Sequence, residues 1–415
     1  MMNYVWLAFV VFAVFFAAMT GNIEQVTKAA LESAGTAVNI AIGLIGIMTL
    51  WLGVMKVAEK AGMISLLAKC LRPLSRFLFP DVPPDHPAVG AIFLNISANW
   101  LGLGNAATPF GIKAMESLQS LNADKEKATD AMIMFLVLNT SSITFVPVTI
   151  IAIRTSLHSA NPTEIIGPTI FSAVMATLTA VIAAKLFAHL DYGFQNKKTL
   201  FSFSLKGFLF TVIIALAVIA LFKTSAMGWV SSLVPTGAFE RIVSFLSLWT
   251  IPVLLAFIPL LAVIKRVKVY EVLVEGAKEG FQVAIRIIPF LVAILVAMGM
   301  FRASGAMAYL AKALSPLTNL IGMPAEVLPA ALLRPLSGSG SLAVITELME
   351  THGPDSFIGR LASTIYGCTE TTFYVIAVYF GAVQIKNTRY AVAAGLLADV
   401  AGILAAVFIC RFLFL

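Results

Sequence analysis

Two charged side chains, Arg334 and Glu370, stand in stretches of this chain that are otherwise small, hydroxylated or apolar. Glu370 lies within Gly367-Cys-Thr369-Glu370-Thr-Thr372, and Arg334 within Leu333-Arg334-Pro335-Leu-Ser337-Gly-Ser339-Gly-Ser341. A carboxylate placed inside a membrane segment is costly and by default marks a functional site with a partner. Three roles fit Glu370: binding a solute, carrying a proton, or pairing with Arg334. In the first half the equivalent chemistry is neutral. Asn95-Ile-Ser97-Ala-Asn99-Trp-Leu-Gly-Leu-Gly104-Asn105-Ala-Ala-Thr-Pro109 is followed, roughly one helix later, by Asn139-Thr-Ser141-Ser142-Ile-Thr144. Amides, hydroxyls and carbonyls released from a broken helix suit a small polar ligand or a cation. Half-helix N-termini favour an anionic group and C-termini a cation. The plainer reading is that these residues cap half-helices and let their neighbours pack closely.

The elements that hold these groups must be membrane helices. Sixty per cent of the 415 residues are hydrophobic and only 12% are charged. The mean hydropathy is +0.95, whereas about a quarter of a soluble chain is charged. There is room for about ten segments of roughly 20 residues. Apolar stretches lie at 3–20, 36–58, 128–153, 164–190, 203–223, 242–264, 284–301, 357–385 and 390–413. The regions around 95–109 and 333–341 are too interrupted for ordinary spans and read as re-entrant hairpins. Polar, non-helical backbone is tolerated at membrane depth only where protein or a wet cavity covers it. Residues 3–20 are expected as a retained first helix, because no Lys or Arg precedes Lys28 to form the basic region of a secretory signal.

The net charge of +7 does not imply a nucleic-acid partner. Nineteen of the 28 Lys and Arg fall in the segments 56–76, 113–127, 185–206, 265–286 and 386–389. Placing those segments in the cytoplasm reproduces the positive-inside bias. The halves also align weakly: Ala61-Gly62-Met63 with Ser304-Gly305-Ala306, and Leu71-Arg-Pro73-Leu with Leu314-Ser-Pro316-Leu, at a constant offset of 243. Thr144-Phe145 pairs with Thr372-Phe373 at an offset of 228. With the basic loops inside, the first hairpin enters from the cytoplasm and the second from the opposite face, so the repeats are inverted.

Other titratable groups read as structural. Asp399, in the last helix, suits a buried hydrogen bond as well as a proton relay. Glu347, Glu350 and His352 are expected at an aqueous hairpin end. His86, His158 and His189 are expected to be solvated or interfacial. Cys70, Cys368 and Cys410 are scattered without metal-ligand spacing. No nucleotide-binding loop, zinc-protease or nucleophile-elbow motif occurs, so no enzyme activity is expected.

The run from Asn95 to Met115 resembles the spore maturation protein A family. The runs Leu333–Ser341, Gly353–Ser363, Cys368–Tyr374 and Tyr379–Val383 resemble the spore maturation protein B family. The chain is similar to a fusion of the two, with 1–200 as the first unit and 201–415 as the second. These families carry the nucleoside-recognition, or gate, domain, which is similar to parts of concentrative nucleoside transporters and of the ferrous-iron transporter's membrane region. The resemblance implies an inner-membrane protein of bacteria. It also departs from the nucleoside transporters, whose hairpin carries Gly-Gln-Thr-Glu-Ala-Pro. Here Gly104-Asn-Ala-Ala-Thr-Pro109 has Ala107 where that glutamate stands.

The expectation is therefore an all-α polytopic membrane protein with two inverted repeats, each with a re-entrant helical hairpin and a broken helix, as in the nucleoside-transporter architecture. The function expected is secondary transport of a small polar or anionic solute. Its candidate ligand groups are Asn95, Ser97, Asn99, Asn105, Asn139, Ser141, Ser142, Thr144, Arg334, Ser337, Ser339, Thr369, Glu370 and Thr372. No cofactor is expected beyond coupling to Na+ or H+, and the partners are the solute, lipid and a second copy of the chain. The alternatives are a non-transporting scaffold for envelope assembly and a divalent-metal permease.

Overall fold

A computed structural model describes residues 2–102, 107–194 and 236–415. The described residues form helices and no strand. Among the described residues, four helices are long and apolar enough to cross a membrane: α2 (Ile23–Lys60), α9 (Ile166–Phe194), α11 (Val269–Ala303) and α17 (Ala391–Phe414). The apolar stretch 203–223, the basic residues Lys197, Lys198 and Lys206, and the boundary at 200 lie outside the described residues.

Among the described residues, helices α2 and α11 pack on each other most extensively, and they run antiparallel. A Cβ on Gly53 would meet Leu273, one on Gly280 would meet Met48 and Thr49, and one on Gly299 would meet Ser33. Gly276 and Gly280 are spaced as a small-xxx-small pair, and each backs directly onto α2 backbone. Small residues let helices approach closely where lipid supplies no hydrophobic drive for association. Helix α1 (Met2–Thr20) lies along α11, with the Trp6 indole N–H donating to the Ala293 carbonyl at 2.8 Å and Phe9 edge-on to Phe301.

Each long helix is followed by a glycine in the left-handed region, Gly62 (φ 78°) before α3 (Met63–Leu71) and Gly305 (φ 84°) before α12 (Ala306–Asn319). That backbone conformation favours glycine, and the two positions are those aligned by the sequence offset.

After α3 come the short α4 (Ser75–Leu78), then α5 (Pro87–Trp100) and α6 (Ala107–Leu121), which pack on each other. Helix α7 (Asp130–Thr140) is separated from α8 (Val148–Ser156) by residues 141–147, and α9 closes the half. The second half follows from α12. Helices α13 (Leu328–Leu333) and α14 (Gly338–His352) flank 334–337, α15 (Phe357–Cys368) and α16 (Thr372–Ala382) flank 369–371, and α17 closes it. Helix α10 spans Thr236–Ile264. Side-chain caps fix several starts: His86 for α5, Thr129 for α7, Ser337 for α14 and Ser356 for α15 each accept a backbone N–H.

Ion pairs join the broken helices at both ends. Arg389 meets Asp130 at 2.6 Å and Lys386 meets Glu126 at 2.6 Å, fixing the start of α7 beside the start of α17. At the other end the fully buried Arg154, on α8, meets Glu164 at 2.6 Å and Asp355 at 2.8 Å, beside the start of α15. The path α7–α8 therefore runs antiparallel to α15–α16. Burial opposes ionisation of Asp355, but the Ser159 hydroxyl, the Ala160 amide and the guanidiniums of Arg154 and Arg360 outweigh it. They hold its carboxyl below the usual carboxylate range.

Three elements differ from the sequence reading. Helix α2 begins at Ile23 rather than near 36, because Glu24, Lys28 and Glu32 are good helix formers although not apolar. The basic stretch after 264 is loop only to Lys268; α11 then runs from Val269 with Glu271, Glu275, Lys278 and Glu279 on its first turns. Glu347 is not at an aqueous end. It is buried on α14, 3.1 Å from Arg302.

Candidate functional site

The second break is a run of β-branched threonines around one glutamate, a poor helix former. Thr369 is extended (φ −143°, ψ 166°), as is Thr371 (φ −80°, ψ 96°). The backbone groups this releases find partners, as they must at membrane depth. The Glu370 N–H donates to the Thr140 carbonyl at 2.7 Å, and the Phe373 N–H to the Pro335 carbonyl at 3.0 Å. The Thr369 carbonyl accepts from Arg334 Nη2, and Arg334 Nη1 reaches Thr371 Oγ1 at 3.4 Å. The guanidinium also lies 4.4 Å from the centre of the Tyr366 ring. Against the Glu370 carboxylate Arg334 is looser, at 3.6 Å, where a tight charge-assisted bond is about 2.7–2.9 Å.

The first break is knit by amides. The Phe145 N–H donates to the Trp100 carbonyl at 3.0 Å. Asn99 Nδ2 donates to Asn139 Oδ1 at 2.9 Å, and the Tyr379 hydroxyl donates to the same oxygen at 3.3 Å. Asn95 Nδ2 donates to the Ala107 carbonyl at 2.8 Å and to the Tyr379 hydroxyl at 3.2 Å. Tyr379, stacked on Phe135, is thus the hub that ties α16 of the second half to both polar segments of the first.

Between the breaks lies a cavity of about 440 Å³, within the range of small-molecule sites. Asn99, Gly102, Thr144 and Thr149 line it from the first half; Arg334, Tyr366, Gly367 and Glu370 line it from the second. The long helices close the remaining side with Met48, Leu52, Met55, Lys56 and Glu59 of α2 and Glu279, Gln282 and Val283 of α11. Lys56 crosses between those helices, 3.2 Å from Glu279 and 3.6 Å from Glu59.

Of the residues expected to form the site, Asn99, Thr144, Arg334 and Glu370 meet at this cavity. Asn95, Ser97, Asn139, Ser141, Ser142, Thr369 and Thr372 are buried behind it. There Ser141 Oγ bonds the Val137 carbonyl at 2.7 Å, and the Thr372 hydroxyl donates to Asp399 Oδ2 at 2.6 Å. Ser337 caps α14 and Ser339 is exposed. Asn105 lies outside the described residues.

Sequence reasoning missed Lys56, Glu59, Glu279, Gln282 and Tyr366. The available signal was charge at the ends of two apolar helices, with Glu275, Glu279 and Gln282 recurring at helical spacing.

The chain matches the nucleoside-recognition (Gate) family over residues 41–156 and 284–386, ranges that include both pairs of breaks. Over 187 residues it is 43% identical to Spore maturation protein A of Bacillus subtilis (strain 168), covering 45% of this chain and 95% of that protein. Over 174 residues it is 51% identical to Spore maturation protein B of the same strain, covering 42% of this chain and 98% of that protein.

Proposed function

The chain belongs to the nucleoside-recognition Gate family, and from that premise we propose that this multi-pass membrane protein is a secondary transporter of a small polar solute in the bacterial inner membrane. The observation that carries the reading is the cavity itself: both breaks and both long helices contribute polar groups to one shared space. Broken helices that meet around such a space are the usual design of a transporter site. A scaffold would instead have its breaks packed shut. For a metal permease, three clustered His, Cys, Asp or Glu side chains would be expected, and none occur together among the described residues.

The architecture proposed is a pair of inverted repeats, 1–200 and 201–415, with re-entrant hairpins at α5–α6 and α13–α14. The antiparallel course of α2 and α11, and of the two broken helices, supports it. So do the left-handed Gly62 and Gly305. Equivalent hydrogen bonds, Phe145 to Trp100 and Phe373 to Pro335, support it at the aligned Thr-Phe pairs. Rocking of one repeat against the other would then expose the cavity to alternate faces, with Na+ or H+ as the coupling ion.

Of the two solute classes expected, polar is better supported than anionic, because the lining carries Glu59, Glu279 and Glu370 against Lys56 and Arg334. Uptake into proteoliposomes of labelled nucleosides, amino acids, dipeptides and dicarboxylates, under Na+ or H+ gradients, tests the reading. One class should accumulate, and Glu370→Gln should lower its uptake about tenfold or more. Equal uptake by the parent and by Glu370→Gln, Asn99→Ala and Arg334→Lys variants would overturn the site.

A further inference from the structure

The Arg334–Glu370 pair constrains what the cavity can accept, on the reading that the cavity is the transport site. Arg334 is held in place: it is 4% exposed, stacked on Tyr366 and bonded to Thr369 and Thr371. Glu370 is 49% exposed and only loosely bound to it, at 3.6 Å. On the opposite wall Glu279 is 54% exposed while Lys56, between its two carboxylates, is 19% exposed. The carboxylates reach into the space and the cations stand behind them.

A solute bearing only a positive group would draw Glu370 away and leave a buried guanidinium uncompensated, which is strongly unfavourable. A solute bearing only a carboxylate would place two anions on one guanidinium, in a lining that already has one more acidic than basic group. A molecule carrying both charges avoids either cost. Its ammonium takes Glu370, its carboxylate takes Arg334, and every charge stays paired. Arg334 Nε, buried and without an acceptor, shows that the guanidinium's donors are not all used by the protein. We propose that the solute is a small zwitterion, with an ammonium and a carboxylate on one molecule, and that it binds by exchanging into the Arg334–Glu370 pair.

The test uses the full chain in nanodiscs and thermal-shift measurements at low millimolar ligand. Alanine, leucine, phenylalanine and glycyl-leucine are each compared with the deaminated acid and with the amine lacking the carboxylate. At least one zwitterion should raise Tm by about 2 °C or more while its acid and amine do not. Glu370→Gln should reverse the order, because an uncompensated Arg334 then prefers the plain acid. Arg334→Lys should keep the zwitterion preference with weaker binding. An acid or amine that stabilises the parent as well as its zwitterion overturns the proposal, as does a panel without any shift or an unchanged order in Glu370→Gln. Proteoliposome uptake separates this from the transport reading. Zwitterion binding with the Glu370→Gln reversal but without uptake would leave the charge class standing and remove transport. Uptake of an anionic solute would do the opposite.

Discussion

The two breaks share a backbone solution and differ in chemistry. In each, a split helix returns an N–H to the neighbouring polar turn, from Phe145 to Trp100 and from Phe373 to Pro335. Around the first, the amides of Asn95, Asn99 and Asn139 are linked through Tyr379, with Asn95 Oδ1 and Ser97 Oγ buried and without a partner. Around the second, a guanidinium and a carboxylate face a cavity across a loose 3.6 Å contact. A closed amide chain has few donors to give a ligand, and breaking it leaves buried polar groups unsatisfied. A loose ion pair at a cavity wall can exchange partners. The first break is thus the frame of the site, and the second holds its reactive charge.

The sharpest way to break this comparison is Gly111→Ala. An added Cβ would lie 2.3 Å from the Tyr379 hydroxyl oxygen, and that ring is held by Phe135 and cannot retreat freely. Overpacking of this kind costs about 1–3 kcal/mol, so Tm should fall while the preference among charged solutes is kept. Glu370→Gln should change the preference among charged solutes whatever its effect on Tm, because it leaves the buried Arg334 guanidinium without its carboxylate. If Gly111→Ala altered charge preference and left Tm unchanged, the division between frame and charge would be wrong.

A smaller effect concerns the joint that fixes α8 to α15. The Asp355 carboxyl is held below its usual range in the fold, so its contribution is present above the unfolded value of about 3.9 and is lost as pH falls through the folded value. Thermal stability should change little from pH 7 to 5 through this group and drop below about pH 4, and Asp355→Asn should reduce that drop. An unaltered acid limb in Asp355→Asn would show that the joint does not contribute.

Much of this was legible in the residues. Polar interruptions in apolar sequence located both breaks, and Glu370 with Arg334 stood out because charge is rare at such depth. Gly62 and Gly305 were already matched by the offset. What could not be read was facing. Lys56, Glu59 and Glu279 sit on regular helices, and only the close packing of α2 on α11 turns them toward the cavity. Tyr379 lies in an apolar run that gives no hint of a hydroxyl serving two asparagines. Glu347 looked peripheral, and its burial beside Arg302 depends on a guanidinium supplied by a distant segment.

The central claim, that Glu370 and Lys56 face a wet cavity while the amide chain behind it, around Asn95, is sealed, can be tested without knowing the solute. In a Cys70→Ser background, Glu370→Cys, Lys56→Cys and Asn95→Cys variants in sealed vesicles are exposed to a membrane-impermeant methanethiosulfonate. The account predicts modification of Glu370→Cys and Lys56→Cys from the face on which α2 ends, with Asn95→Cys unmodified. A Glu370→Cys thiol refractory from both faces, or an Asn95→Cys thiol modified as readily, would contradict it.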